Sequence, residues 1–323
     1  MNILVCGGAG YVGAHVAREL HLRHHKVTVL DNLSTGHREA VRWGQLIQAD
    51  ILDTNALDSV FRENTFDAVI HLCARSIVSD STTDPYGYYL NNVQGTLNVL
   101  RSMRANGVGK FVFSSSAAVY GQPISDVIHE DHPKNPLSPY GSSKWMVEQM
   151  LADAWSAYGL SSASLRYFNA AGAAHQDGIG ESHDPETHLI PNVLRSLLAG
   201  TPLNVFGNGY PTPDGTCVRD YVHVEDLASA HVLALNYLDQ NQGTHAFNLG
   251  SGTGFSVMDV IRTAERVTGR QARISPREPR AGDPARLVAS NLLARTRLGW
   301  NPSQQDLDEI VLSAWRWHQD TAY

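Results

Sequence analysis

The segment that most constrains this chain is Gly7-Gly8-Ala9-Gly10-Tyr11-Val12-Gly13, which follows the apolar run Ile3-Leu4-Val5-Cys6. Its glycines at 7, 10 and 13 have G-x-x-G-x-x-G spacing, and a helical pattern over residues 12–21 begins inside it. Positions without side chains let the backbone turn tightly and let a pyrophosphate approach amides at a helix start, where the helix dipole favours negative charge. A glycine turn alone is weak grounds for such a site, because tight turns serve many folds.

Its surroundings narrow the reading. Runs rich in β-branched residues recur at 3–7, 27–31, 46–50, 68–72 and 111–115, with helix-length stretches such as 12–21 and 92–105 between them. Strands alternating with helices predict an α/β fold, a doubly wound parallel sheet of Rossmann type covered on both faces. A longer helix is expected from Pro139 to about Tyr158, then a strand over 164–168. Beyond Asn169 the texture changes, and 170–187 reads as a long loop, a length often tied to function. Helices are expected at 190–198, 226–238, 257–268 and 310–318, a strand at 244–249, and loops at 206–216 and 276–284. The expected organisation is a dinucleotide-binding domain over 1–169, rejoined by segments near 220–255, and a smaller C-terminal substrate-binding lobe made mainly of 170–323. A lobe across the strand ends makes a cleft, where open α/β sheets bind ligands.

Asp31 ends the second predicted strand, where an acid accepts hydrogen bonds from adenosine ribose hydroxyls. An acid there repels a 2′-phosphate, and no arginine follows at once, so NAD is expected rather than NADP. Asp50 ends the third predicted strand, within reach of an adenine.

Tyr140-Gly141-Ser142-Ser143-Lys144 puts a phenol and an amine one helical turn apart on one face. A phenol ordinarily titrates near pH 10 and is a poor base at neutrality. A neighbouring lysine cation and a positive nicotinamide ring favour the phenolate, which makes tyrosine a usable acid/base. Ser114-Ser115-Ser116 closes the fifth predicted strand, where a hydroxyl can bond a substrate oxygen as charge develops.

Composition excludes several classes. The formal net charge of −7 argues against a nucleic-acid surface. Cys6, Cys73 and Cys217 are widely spaced and odd in number, so no disulfide framework is expected. No apolar stretch is long enough for a membrane span, and no signal core precedes the first strand-like run. A cytoplasmic protein is expected. The histidines at 21, 24 and 25 lack an acid or cysteine to complete a ligand set, and no metal is expected.

Taken together, these motifs resemble the extended short-chain dehydrogenases/reductases, and within them the UDP-glucose 4-epimerases, over almost the whole chain. The later landmarks are Arg166-Tyr167-Phe168-Asn169, His183-Asp184-Pro185-Glu186-Thr187-His188-Leu189-Ile190-Pro191, Val218-Arg219-Asp220-Tyr221-Val222-His223-Val224, Arg280-Ala281-Gly282-Asp283-Pro284 and Leu298-Gly299-Trp300. The resemblance implies that Tyr140 is the catalytic base, Lys144 its partner and ribose ligand, and Ser116 the hydroxyl that orients the reacting oxygen. It implies an NAD site lined by Gly7, Gly10, Tyr11, Val12, Gly13, Asp31, Asn32, Thr35, Asp50, Ile51, Leu72, Ala74, Ser76, Asn91, Ser114, Tyr140, Lys144 and Phe168. For a UDP-sugar it implies Ser116, Tyr140, Asn169, His188, Leu189, Asn204, Phe206, Arg219, Arg280 and Asp283, with the two arginines on the phosphates. Guanidinium forks suit phosphate oxygens independently of the family, although Arg219 next to Asp220 also reads as an ordinary surface pair. A homodimer is implied as well.

Two departures matter. Ser76, beside Arg75, stands where epimerases of this family often carry a lysine near the cofactor. Leu287 stands where some relatives have a tyrosine, and a smaller residue there is associated with room for N-acetylated sugars.

The expected reaction begins with Tyr140 taking the proton of the sugar O4 while C4 passes hydride to the nicotinamide. A 4-keto sugar turns over while tethered by its diphosphate, then receives hydride on the other face. A nucleotide-sugar dehydratase needs acids after the serine, but Ala117 and Ala118 stand there. A UDP-arabinose 4-epimerase uses the same chemistry. A dehydrogenase of a free alcohol does not need the arginines, and a non-catalytic NAD-binding protein does not need the serine–tyrosine–lysine set.

Overall fold

The computed structural model describes residues 1–279 and 283–323. Its first half alternates as the periodicity requires: β1 (Asn2–Cys6), α1 (Tyr11–Leu22), β2 (Lys26–Asp31), β3 (Gln45–Gln48), α2 (Thr54–Glu63), β4 (Ala68–His71), α3 (Val78–Thr83), α4 (Pro85–Tyr89), α5 (Gly95–Ala105), β5 (Lys110–Ser116), α6 (Pro139–Tyr158) and β6 (Ser161–Tyr167). A π-helical turn, Leu90–Gln94, joins α4 to α5, so the helix expected from residue 92 is part of a longer helical run. The second half carries β7 (Asn169–Ala171), α7 (Leu189–Ala199), β8 (Pro202–Phe206), β9 (Val218–Arg219), β10 (Tyr221–His223), α8 (Val224–Leu238), β11 (Thr244–Leu249), β12 (Phe255–Ser256), α9 (Val257–Thr268), β13 (Arg273–Arg277), β14 (Arg286–Leu287) and α10 (Leu307–Gln319).

Seven strands form one parallel sheet in the order β11-β6-β5-β4-β1-β2-β3. Alternation along β1 divides the core. Ile3 and Val5 face α1 and α8, together with Val16, Leu20, Leu227 and Leu235. Leu4 and Cys6 face the opposite layer, with Leu57, Val99, Met103 and Val147. Burial on both faces explains why these strands read as continuous apolar runs. The chain reverses its winding between β1 and β4, which places a crevice at the carboxyl ends of the central strands.

A separate apolar cluster joins α7, α9 and α10 through Val193, Leu194, Val260, Ile261, Ile310 and Trp315. Short strand pairs connect this part to the sheet ends: β7 with β10, β8 with β13, and β9 between β12 and β14. The stretch expected as a loop over 170–187 therefore begins inside a strand, and the loop expected at 276–284 begins inside β13. Strands of two or three residues are too short for periodicity to register. β6 starts earlier than expected because the polar Ser161 and Ser162 hide its first residues from the apolar pattern. No helix among the described residues is long and apolar enough to cross a membrane.

Candidate active site

Gly7 adopts φ +83°, and a Cβ there would lie 2.7 Å from the Cys73 amide nitrogen. A Cβ on Gly13 would lie 2.0 Å from the Gly7 carbonyl oxygen. Both positions require glycine to keep α1 tight against the ends of β1 and β4. Gly10 caps α1 with extended backbone, no side chain closes that cap, and the first turn carries no acid. The leading amides and the helix dipole therefore suit an anionic group, as a dinucleotide pyrophosphate requires.

Asp31 is buried at the end of β2. Its carboxylate accepts from the Ala9 amide at 2.9 Å and the Leu33 amide at 2.9 Å. Burial pushes the group above the ordinary carboxylate range, and those two amides pull it back. Asn32 donates to Asp50 at 2.9 Å, and Ile51 is buried beside them. The glycine turn thus lies next to an acid that can receive ribose hydroxyls. Leu72 and Cys73 flank Gly7, Ala74 follows half-buried, and Thr35 and Ser76 are exposed. Tyr11 and Val12 open α1, and the Tyr11 hydroxyl donates to the Gly172 carbonyl at 2.6 Å. Arg75, next to Ser76, pairs with Asp84 and lies over the Tyr88 ring at 4.7 Å.

The Ser138 hydroxyl caps α6 by accepting from the Gly141 amide at 3.1 Å, and Pro139 opens the helix. This start presents Tyr140 and Lys144 to the end of β5, both buried. The Ser116 hydroxyl lies on the Tyr140 phenol side and favours its ionised form. Lys144 Nζ donates to the Ser114 carbonyl at 2.8 Å and lies 5.9 Å from the Tyr140 ring centre. The three expected catalytic residues are gathered in one place.

Their electrostatics in the chain by itself separate the lysine's share of the expectation from the nicotinamide's. Burial pushes the Tyr140 phenol well above its usual range; the nearby Tyr167 adds to this, and Ser116 opposes it. Burial likewise pulls Lys144 down to about 7, against the favourable influence of Cys73 and Glu148. Lys144 therefore does not by itself hold the phenol low. Removing both groups from water outweighs an amine directed mainly at a carbonyl.

Several residues beneath the site were missed in the sequence. Glu148, one turn beyond Lys144, accepts from Ser115 and from Arg166 Nε at 2.9 Å. Arg166 Nη1 donates to the Tyr120 hydroxyl at 2.9 Å, and that hydroxyl donates to Asn248. His231 Nε2 meets the Ser114 hydroxyl at 2.9 Å. Asn92, in the π-turn, accepts from the Arg75 amide and donates to the Ser143 hydroxyl, next to the expected cofactor residue Asn91. The available signals were a charge inside a strand, Arg166, and an acid four residues after Lys144.

On the substrate side, Arg219 pairs with Asp283 and donates to the Val218 and Pro284 carbonyls. The suggested Arg219–Asp220 surface pair is replaced by this one. Asp220 is fully buried and accepts from the amides of Ser251, Gly252 and Ala289. Asn169 donates to the Asp220 carbonyl at 2.9 Å, so Asn169, Arg219 and Asp283 belong to one connected segment. Arg280 lies outside the described residues. Asn204 accepts from Arg277, and Phe206 ends the same strand, in the β8–β13 pair. Leu287 is in register with Arg219 and packs on the cluster of Val119, Tyr120 and Ile128, together with Trp145 and Phe168.

His188 caps α7 and Leu189 is its first residue. His188 Nδ1 lies 2.7 Å from Glu181 Oε1, and His183 stands beside the same glutamates. Burial opposes charge on both rings, but Glu181 and Glu186 outweigh it, holding His183 at about 9 and His188 at about 10.

Residues 3–250 match the NAD dependent epimerase/dehydratase family. The chain belongs to that family. A UDP-glucose 4-epimerase of Lacticaseibacillus casei is 47% identical over 99% of this chain and 97% of its own length. Among solved structures, UDP-glucose 4-epimerase from Brucella ovis in complex with NAD is 46% identical, with a TM-score of 0.95 over 97% of each chain. A UDP-glucose-4-epimerase from Stenotrophomonas maltophila, with bound NAD and formylated UDP-arabinopyranose, is 38% identical. Its TM-score is 0.95 over 99% of this chain and 98% of that one. The doubly wound expectation and the NAD expectation both stand.

Proposed function

We propose that the protein inverts C4 of a UDP-sugar, interconverting UDP-glucose and UDP-galactose through a 4-keto sugar. The observation that carries this reading is the convergence of buried Tyr140 and Lys144 on the end of β5, beside Ser116, at a strand end that shares its crevice with the glycine turn. NAD, held by the glycine turn 7–13 and Asp31, would supply the hydride acceptor and donor for C4.

The chain's own residues supply position and proton. Tyr140 takes the O4 proton as hydride leaves and gives it back on return. Ser116 bonds the same oxygen and keeps it in line with the phenol. Arg219, with Arg280, holds the diphosphate so that the keto sugar turns without escaping. Asn169, His188, Leu189, Asn204, Phe206 and Asp283 hold the nucleotide end. Binding energy remote from C4 is thereby used for the reaction. Residues 1–169, with the segments near 220–255, serve as the NAD-binding part, and most of 170–323 as the substrate-binding part. Incubating the purified protein with UDP-galactose and following UDP-glucose by NMR tests the proposal; substrate returned unchanged rejects it.

A second reading concerns substrate breadth. Leu287 packs beside Tyr120 and Phe168 with less bulk than a tyrosine, which favours acceptance of UDP-N-acetylhexosamines. UDP-arabinose shares the reacting carbon and is a further candidate. A panel of the three epimer pairs distinguishes these activities.

The assembly proposed is a cytoplasmic homodimer. Tyr86 is 84% exposed and Leu90 54%, and they adjoin Val93 and Met146 on the outer side of α4 and α6. Neighbouring apolar side chains of this size suit a second copy of the same surface. Replacing Leu90 with glutamate should shift the sedimenting species toward monomer.

A further inference from the structure

The loop preceding α7 brings two imidazoles and two carboxylates together. His183 Nδ1 lies 3.3 Å from Glu181 Oε1 and 3.7 Å from Glu186 Oε2. His188 Nδ1 lies 2.7 Å from Glu181 Oε1 and 3.3 Å from Glu186 Oε1. One ligand atom from each of the four residues falls within 4.8 Å of all the others.

We propose that Glu181, His183, Glu186 and His188 bind one divalent cation, with zinc the ion best matched to two ring nitrogens and two carboxylate oxygens. Tetrahedral zinc with bonds of about 2.0–2.2 Å places its ligand atoms about 3.4 Å apart. His183 Nδ1 lies near that distance from Glu181 Oε1 and Glu186 Oε2, whereas His188 Nδ1 and Glu181 Oε1, at 2.7 Å, must open slightly to share an ion. A separate observation points to a ligand. The Glu186 side chain is 2% exposed, and its buried Oε2 has no hydrogen-bond partner, although His183 Nδ1 at 3.7 Å and the Arg195 guanidinium at 3.9 Å face it. His183 Nδ1 is buried in the same condition, so its approaches to both glutamates lack hydrogen-bond geometry. Two protonated histidines in simple ion pairs would aim N–H bonds along those lines. Lone pairs converging on a common centre satisfy all four groups at once.

The surroundings hold the set in place. The Thr187 and His188 amides donate to Glu186 Oε1, and Trp317 Nε1 donates to the Glu181 carbonyl at 2.8 Å. Outer contacts of this kind orient metal ligands. The His183 ring lies edge-on to Tyr11 of the glycine turn, with centroids 6.5 Å apart. A bound ion therefore locks residues 181–188 between the cofactor turn and the start of α7. It also commits His188 Nδ1 and leaves the proton on Nε2 as a fixed donor, a consequence that rests on the substrate role proposed for His188.

The test uses the full-length, tag-free protein, stripped with a chelator and titrated with zinc chloride against a chromogenic competitor. One equivalent per chain, a raised Tm with zinc, and a visible tetrahedral spectrum with cobalt are the expected results. His183→Gln and Glu186→Gln should each weaken zinc binding by about a hundredfold or more and abolish the Tm shift. A His21→Gln/His24→Gln chain should behave as the parent. NAD content and ion-free Tm of each variant verify folding, and neither readout depends on epimerase turnover. Retention of the tight equivalent in both loop variants, or no stoichiometric binding in the parent, overturns the proposal.

Discussion

Arg166 and Glu148 form a bidentate ion pair buried beneath the catalytic cluster, with side chains 4% and 6% exposed. Glu148 also receives the Ser115 hydroxyl, so the pair supports the strand end that carries Ser116. Removing one member of such a pair leaves the other charged and without compensation. Glu148→Gln should therefore lower stability by about 3–5 kcal/mol in urea denaturation. A loss under about 1 kcal/mol would place this pair with solvent-screened surface pairs.

Tyr140→Phe keeps the buried ring and removes the proton carrier. Turnover should fall by about 10²–10⁴-fold, with UDP binding near normal by calorimetry. Ser116→Ala should cost less, because the phenol stays in place. Near-parental turnover in Tyr140→Phe would remove this residue from the mechanism.

Lys144 gives a prediction of opposite sign for stability and activity. Its folded value of about 7 lies below the usual lysine range, so the charged amine is a cost in the fold. That cost is full below about pH 7 and fades as pH rises toward the unfolded value of about 10.4. Lys144→Met should stabilise the NAD-free protein at neutral pH by about 1–3 kcal/mol, after allowing for the Ser114 carbonyl left without its donor. The gain should vanish near about pH 10.4, and turnover should fall at every pH.

His71 and His231 make the core sensitive to acid. Burial holds them at about 3 and about 4, below the ordinary histidine value. Their neutral forms support the fold fully above about pH 6.5, where the unfolded rings are also neutral. Below that, the unfolded state takes up protons first, and each ring should cost about 1.4 kcal/mol per pH unit until its folded pKa is reached. His231→Gln preserves a polar partner for Ser114 and should make stability between about pH 6 and pH 4 less steep by one ring's contribution. An unchanged slope in denaturant titrations would exclude His231 as a source.

The sequence by itself determined the layered α/β architecture, the glycine turn and the serine–tyrosine–lysine set. Those features are local: periodicity, turn chemistry and helical spacing act over a few residues. The Tyr140–Lys144 spacing survives folding because both lie on one helix, and Asp31 keeps its place because a strand end fixes it. Tertiary structure decided what depends on distant partners. Arg219 stands beside Asp220 in sequence, yet its partner is Asp283, because β9 lies against β14 and Asp220 is turned into the core. The support from Arg166, Tyr120 and Asn248 joins residues from separate elements, so no spacing announces it. Folding also buries Tyr140 and Lys144, so that in the chain by itself the phenol is raised and the amine lowered. Adjacency on a helix is local information, but the loss of water around both groups is created only when the whole sheet closes over them.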